Sequence, residues 1–258
     1  MAHAQHEMET RNGTSGQSGS WGDTLKTVIY AILIAVVVRT FAYEPFNIPS
    51  GSMIPTLLVG DYLFVSKLSY GYSRHSLPFS LPLISGRLFA AAPERGDVAV
   101  FKLPADNKTD YIKRMIGLPG DRIQVRAGIL HINGTPVKRR RIGDLIQRDE
   151  SGNAFAMAQY VETLPNGRSH LIIEKSDSDQ LDNTPVYVVP KGHYFAMGDN
   201  RDGSLDSRVL NHVGYIPAEN LVGRADILFF STNGTARVWE FWKWPTATRF
   251  SRIFKSVE

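Results

Sequence analysis

Apolar and polar positions fall into three regimes along the chain. Residues 1–20 (MAHAQHEMETRNGTSGQSGS) are polar, rich in Gly and Ser, and show no hydrophobic period, which predicts a disordered tail. A helix-length apolar run follows, WGDTLKTVIYAILIAVVVRTFAY, in which Thr27 to Val38 carries no charge. Those 12 residues make only about 18 Å of helix, short of a hydrocarbon core of roughly 30 Å. Trp21 to Tyr43 makes about 34 Å, so a span over 21–43 requires Lys26 and Arg39 to snorkel and Trp21 and Tyr43 to sit at the interfaces. A cleaved signal peptide has an apolar region of similar length, but no clean small-x-small site follows and a long polar tail precedes. An uncleaved signal anchor fits better, and better than a buried soluble helix. Flanking charge is nearly balanced (Arg11 and Lys26 against Glu7, Glu9 and Asp23) and does not orient it. Leu77 to Pro93 is apolar but interrupted by Pro78, Pro82 and Gly86; it reads as a loop or a surface element in touch with the bilayer.

The third regime begins at Gly96. Short β-branched and aromatic runs (DVAVFKL, DYIKRMIGL, RIQVRAGILHING, PVYVVPKGHYFAMGD, LVGRADILFF) are punctuated by Pro-Gly, Asn-Gly and Lys-Gly turns. The expected fold is therefore mainly β, an antiparallel domain over 44–127 and 191–258 behind the membrane helix. Residues 128–190 are more polar, and GDLIQRDESGNAFAMAQYVETLPNGRSHLI lacks strong pattern; a small β-rich insertion lobe is expected there. Near the end, Trp239, Trp242, Trp244, Phe250 and Phe254 alternate with cations, as either a core cap or an interfacial anchor.

Composition narrows the chemistry. With 258 residues, 43% of them hydrophobic, the chain can build a substantial core. The absence of cysteine excludes disulfides, thiolate nucleophiles and cysteine-based metal sites together. The net charge of +4 is mild, and the densest basic run, Lys138 to Arg141, follows a turn at Asn133-Gly134; it reads as a solvated hairpin end, with anionic lipid as the alternative contact. No aromatic platform accompanies it, so nucleic acid is not an expected partner. Histidines and carboxylates show no ligand spacing, so neither metal nor cofactor is expected.

Two serines, Ser50 and Ser52, stand just behind the apolar helix in PFNIPSGSMIPTLLVGD. A hydroxyl nucleophile needs a base, and none of the seven histidines lies in a stretch with a nucleophile signature. The SxxK arrangement fails too, because Met53 stands three residues after Ser50 and Pro55 three after Ser52. In DYIKRMIGLPGD, strand alternation puts Lys113 and Tyr111 on one face, and burial without an anionic partner would bring a lysine down from about 10.4 towards neutrality. AMGDNRDGSLDSR packs three aspartates, two arginines and two serines into thirteen residues. That composition suits an ordinary surface loop, or a tight turn supplying an orienting hydroxyl and a buried Asp-Arg scaffold.

PSGSMIPTL, RGDVAVFK, DYIKRMIGLPGD and MGDNRDGSLDSR, in this order behind a membrane segment, resemble the signature boxes of bacterial type I signal peptidases, the leader peptidases. The resemblance implies Ser52 as nucleophile, Lys113 as general base, and Ser50 as partner of the Ser52 backbone N–H in an oxyanion hole. It implies that the Ser204 hydroxyl orients the lysine, that Asp206 and Arg208 form a supporting ion pair, and that Asp199 and Arg201 are scaffold. Phe46, Ile48, Pro49, Met53, Leu57, Val100 and Ile112 should line pockets for small residues at positions −1 and −3 of a signal peptide. Leu205 stands where relatives often have alanine, next to Ser204, and should shape the same pockets. By resemblance the protein is a single-pass bacterial inner-membrane enzyme with a cytoplasmic tail, a catalytic domain on the outer side close to the bilayer, exported preproteins as substrates and no need of a second copy. Two other readings stay open at this point: a repressor-type Ser-Lys autoprotease, and a catalytically silent membrane-anchored binding protein.

Overall fold

A computed structural model describes residues 21–77, 83–148, 151–236 and 239–257; the expected tail lies outside the described residues. The apolar run forms a helix, α1, over Trp21–Phe41, with mean hydropathy 1.8 in its most apolar window. Its length and composition are enough to cross a membrane, and its apolar side chains, Leu25, Ile29, Leu33 and Val37 among them, are exposed. The helix stops two residues short of the expected Tyr43, which opens strand β1 (Tyr43–Asn47). Pro45 disfavours helical backbone at the residue before it, so the chain is already extended at Glu44. By internal contacts the chain divides at Val37, and residues 38–258 form one unit.

That unit is built from thirteen further strands: β2 (Asp61–Ser66), β3 (Val98–Lys102), β4 (Asp110–Gly117), β5 (Arg122–Arg126), β6 (Ile129–Ile132), β7 (Thr135–Pro136), β8 (Lys138–Arg148), β9 (Ala154–Thr163), β10 (Ser169–Glu174), β11 (Tyr187–Val188), β12 (His193–Met197), β13 (Ile216–Pro217) and β14 (Leu221–Ser231). Seven form an antiparallel sheet in the order β1-β2-β14-β3-β4-β12-β13; β11-β5-β6-β7 and β10-β9-β8 form two smaller sheets. In β3 the two-residue period separates two cores rather than core from solvent. Val98 and Val100 pack with Leu63, Val65 and Leu228, while Ala99 and Phe101 pack with Tyr70, Met115 and Leu221. Covering both faces in this way suits a strand that reads as continuously apolar.

The expected limit of the lobe at Gly128 falls inside a hairpin. Ala127 and Gly128 are the left-handed turn between β5 and β6, which pair Arg126 with Ile129, and β11, from the far end of the expected lobe, pairs with β5. Of the expected lobe, only β8, β9 and β10 form a sheet of their own. The C-terminal aromatics do not all pack on the domain. Trp244 packs on Phe230 at 4.9 Å, whereas Trp239, Trp242, Phe250 and Phe254 are exposed. Of Leu77 to Pro93, residues 78–82 lie outside the described residues, and Leu88 bridges to Tyr72.

Candidate active site

Residues Ser50 to Leu57 form a tight turn between β1 and β2. Leu57 N–H donates to the Met53 carbonyl at 2.9 Å, and both side chains are fully buried with Leu63, Val98 and Val222. This anchors the turn in the core and lifts Ser52 to the surface of the sheet. Ser52 Oγ lies 2.8 Å from Lys113 Nζ on β4, and Ser50 Oγ lies 3.4 Å from Ser52 Oγ. Lys113 also donates to the Ile112 carbonyl at 2.9 Å and sits 5.2 Å from the centre of the Tyr111 ring, on the face that strand alternation assigns to both. Burial pushes its ammonium pKa down to about 8, against the opposing pull of Asp206 and Asp199. At that value an appreciable part of the amine is neutral at physiological pH, as a base acting there requires.

The box at 198–208 closes round this pair. Asp206 and Arg208 make the expected ion pair at 2.9 Å, and Asp206 also accepts from Gly198 N–H at 3.0 Å. Burial alone would raise the Asp206 carboxyl, but the Arg208 charge together with the hydrogen bonds from Arg208 and the Gly198 N–H offsets it and holds it below the usual range. Gly198 is required by close approach: a Cβ there would stand 2.2 Å from Ser204 Oγ and 2.5 Å from the Ser52 carbonyl oxygen. Ser204 departs from expectation. Its hydroxyl is buried and has no hydrogen-bond partner among the described residues, so the expected bond to Lys113 is absent; the amine is instead engaged by Ser52 and the Ile112 carbonyl.

Asp199 and Arg201, expected as scaffold, are not paired with each other. Asp199 accepts two bonds of 2.8 Å from Arg114 and one of 2.6 Å from Thr56, while Arg201 donates two to Glu162 on β9. Sequence reasoning does not single out Arg114, Thr56 or Glu162. Arg114 carries one usable signal, a second cation immediately after Lys113 and hence on the opposite face of the same strand. Burial would raise the Asp199 carboxyl, and Arg114 reverses this, so it stays below the usual range. Its stabilising contribution is therefore complete above about pH 4, the unfolded value, and is lost as pH falls. Asp199→Ala removes the carboxylate that the Arg114 guanidinium, 2% exposed, pairs with. We expect a loss of about 3–5 kcal/mol and a fall in Tm of roughly 6–20 °C, read by thermal unfolding in detergent.

A cleft of about 520 Å³ opens in front of Ser52 and Lys113. Phe46, Ile48, Pro49, Val100, Ile112 and Leu205 line it. Met53 and Leu57 do not: both are 0% exposed, because the turn that presents Ser52 points them into the core. The walls are β1 and the first half of β4. Among the described residues β1 pairs only with β2, and Asp110–Lys113 pair only with β3, since β12 takes up β4 from Arg114 onward. Two strand edges thus face the cleft unpaired. Among the described residues no group of histidines and carboxylates is placed to hold a metal.

A serine hydroxyl bonded to a buried lysine amine, at the floor of an apolar cleft on an antiparallel sheet, is a geometry suited to a serine peptidase. The comparisons agree: a profile described as signal peptidase, peptidase S26, matches residues 21–230, and the chain belongs to that family. It is 42% identical over 245 residues to the signal peptidase I of Rickettsia typhi, covering 88% of this chain and 90% of that one. Against the signal peptidase I of Rickettsia conorii it is 38% identical over 267 residues, covering 97% and 98%. A solved signal peptidase I from Enterococcus faecalis matches 52% of this chain and 97% of its own at 25% identity, with a TM-score of 0.29; at that score the likeness does not bear on the fold.

Proposed function

We propose that this protein removes N-terminal signal peptides from exported preproteins, with Ser52 as nucleophile and Lys113 as general base. The 2.8 Å contact between Lys113 Nζ and Ser52 Oγ, inside a cleft with two free strand edges, is the observation that carries this reading. An extended substrate segment pairs with those edges as an added strand. Side chains two apart then share a face, so positions −1 and −3 enter the cleft together while −2 points away. The apolar wall of Phe46, Ile48, Val100, Ile112 and Leu205 leaves room for small residues at both, which is a steric basis for selecting them.

In the reacting state the amine is neutral and the Ser52 hydroxyl donates to it. Oγ attacks the scissile carbonyl carbon as its proton passes to Nζ. The tetrahedral oxyanion is met by the Ser52 N–H and the Ser50 hydroxyl. Collapse breaks the C–N bond; Lys113 returns the proton to the departing amine of the mature chain, leaving the signal peptide esterified to Ser52. A water, deprotonated by the same lysine, hydrolyses the ester and frees the signal peptide as a carboxylate. Asp206–Arg208 holds the Gly198 segment in place beside Ser52, and Asp199–Arg114 fastens the loop to β4.

The helix is proposed as an uncleaved anchor crossing the bacterial inner membrane once, with residues 1–20 cytoplasmic and the catalytic domain of 44–127 and 191–258 on the periplasmic side. A single copy contains every group the reaction uses. The test is cleavage of a model preprotein carrying Ala-x-Ala before its junction, in detergent, with products weighed by mass spectrometry. We expect one cut after the second alanine and none when that alanine is replaced by leucine. Cleavage elsewhere, or indifference to the leucine, would overturn the assignment.

A further inference from the structure

We propose that the β8-β9-β10 sheet is a brace for the nucleophile, acting through the buried pair Glu162–Arg201; this rests on the peptidase reading above. The segment Asp199–Asp202 is tied to this sheet on both sides of Asn200. Ile173 N–H, on β10, donates to the Asp199 carbonyl at 2.9 Å, and Arg201 N–H donates back to the Ile173 carbonyl at 3.0 Å, a rung of parallel ladder. The Arg201 guanidinium reaches Glu162 Oε1 and Oε2 at 3.1 and 2.5 Å, with both side chains 2% exposed or less. One residue further on, the Asp202 carboxylate accepts from Lys175 and Ser176 N–H at 2.6 and 3.1 Å.

Asn200, held between these ties, grips the nucleophile turn. Its N–H donates to the Ser52 carbonyl at 3.1 Å and its side-chain amide to the Gly51 carbonyl at 3.1 Å. The carbonyls on either side of the Gly51–Ser52 junction are therefore fixed by a residue whose own neighbours are fixed by the lobe. Charge in the cluster balances with Arg114 and Arg201 against Asp199 and Glu162. His170, from β10, lies 3.4 Å from Glu162 and 4.0 Å from Asp199, and burial together with Arg114 favours its neutral form. The pair acts on placement and not on the amine: among the described residues the Glu162 carboxylate meets Arg201 and His170, and Glu162 is not part of the cleft lining.

Glu162→Gln keeps the shape and one acceptor but removes the charge that seats Arg201. Misplacement of a nucleophile by about 1 Å costs on the order of 100-fold. We expect kcat on the Ala-x-Ala preprotein to fall roughly 10- to 100-fold, with KM within about twofold of wild type and the acid limb of the pH profile unmoved. Leu130→Ala, which removes a buried side chain of β6, outside the brace and the cleft, serves as the stability control: it should lower Tm yet leave kcat within about twofold. A kcat for Glu162→Gln within twofold of wild type overturns the brace, and so does an equal loss of kcat in Leu130→Ala. Should Glu162→Gln fail to fold, Asn200→Ser, which retains the backbone bond to Ser52 and loses the one to Gly51, is read in the same way: a fall in kcat at steady KM supports the brace and an unchanged kcat overturns it. A wild type that does not cut after the second alanine overturns the peptidase reading, and the brace with it.

Discussion

Ser52→Ala is expected to lower kcat/KM for preprotein cleavage by roughly 10⁴- to 10⁶-fold, the scale on which loss of a nucleophile acting with its base is felt. No neighbour replaces it. Ser50 Oγ, 3.4 Å away, contacts Ser52 and not the lysine, and the Ser204 hydroxyl is unpartnered among the described residues. The fold should survive the change. The Ser52 carbonyl, which Asn200 grips, remains, and the removed hydroxyl bonds only Lys113 and Ser50. The inert variant should therefore unfold within a few degrees of wild type while still binding substrate, so that kcat falls and KM does not. A variant retaining a tenth of the wild-type rate would place the nucleophile elsewhere.

Lys113→Met should be as damaging to activity and harmless to stability, a combination that few other changes at a buried cation would give. Methionine matches the length of the side chain among its apolar neighbours and removes an amine whose burial favours the neutral form. Rate should drop roughly 10⁴-fold or more. Raising the pH should not restore it, because no second base lies within reach of Ser52 Oγ: among the described residues His212 approaches the cleft only through the Tyr111 hydroxyl, at 3.1 Å. Recovery at high pH would show that hydroxide or another side chain, and not the Lys113 amine, takes the proton from Ser52. Thermal unfolding measured alongside the kinetics separates this from loss of fold.

What could be read from the sequence follows how local each interaction is. Ser52 and Lys113 stand in short strings that resemble family boxes over a few residues, and Asp206–Arg208 is a pair two positions apart. Met53 and Leu57 are expected in the cleft on the family resemblance, beside the nucleophile in its box. The helical turn that joins them, Leu57 N–H to the Met53 carbonyl, puts them on the buried side instead, a direction that adjacency does not encode. Glu162 is 39 residues from Arg201, in a stretch without visible pattern. That stretch is nonetheless strand: β8 is exposed along most of its length on both faces, so it shows no alternation of apolar and polar residues. The limit expected at Gly128 fails for a related reason, since a shift in polarity marks where solvent begins and not where strand pairing ends.

The central claim is that a lysine amine, deprotonated because it is buried, activates Ser52. The pH dependence of kcat/KM for the wild-type protein in detergent tests it most directly. With the folded amine pKa near 8, the active neutral form is present above that value and declines below it. The profile should therefore level off above about pH 8 and fall about tenfold per unit beneath it. A profile flat from about pH 6 to about pH 9, or one whose acid limb has its midpoint near the histidine value of about 6.5, would contradict the account.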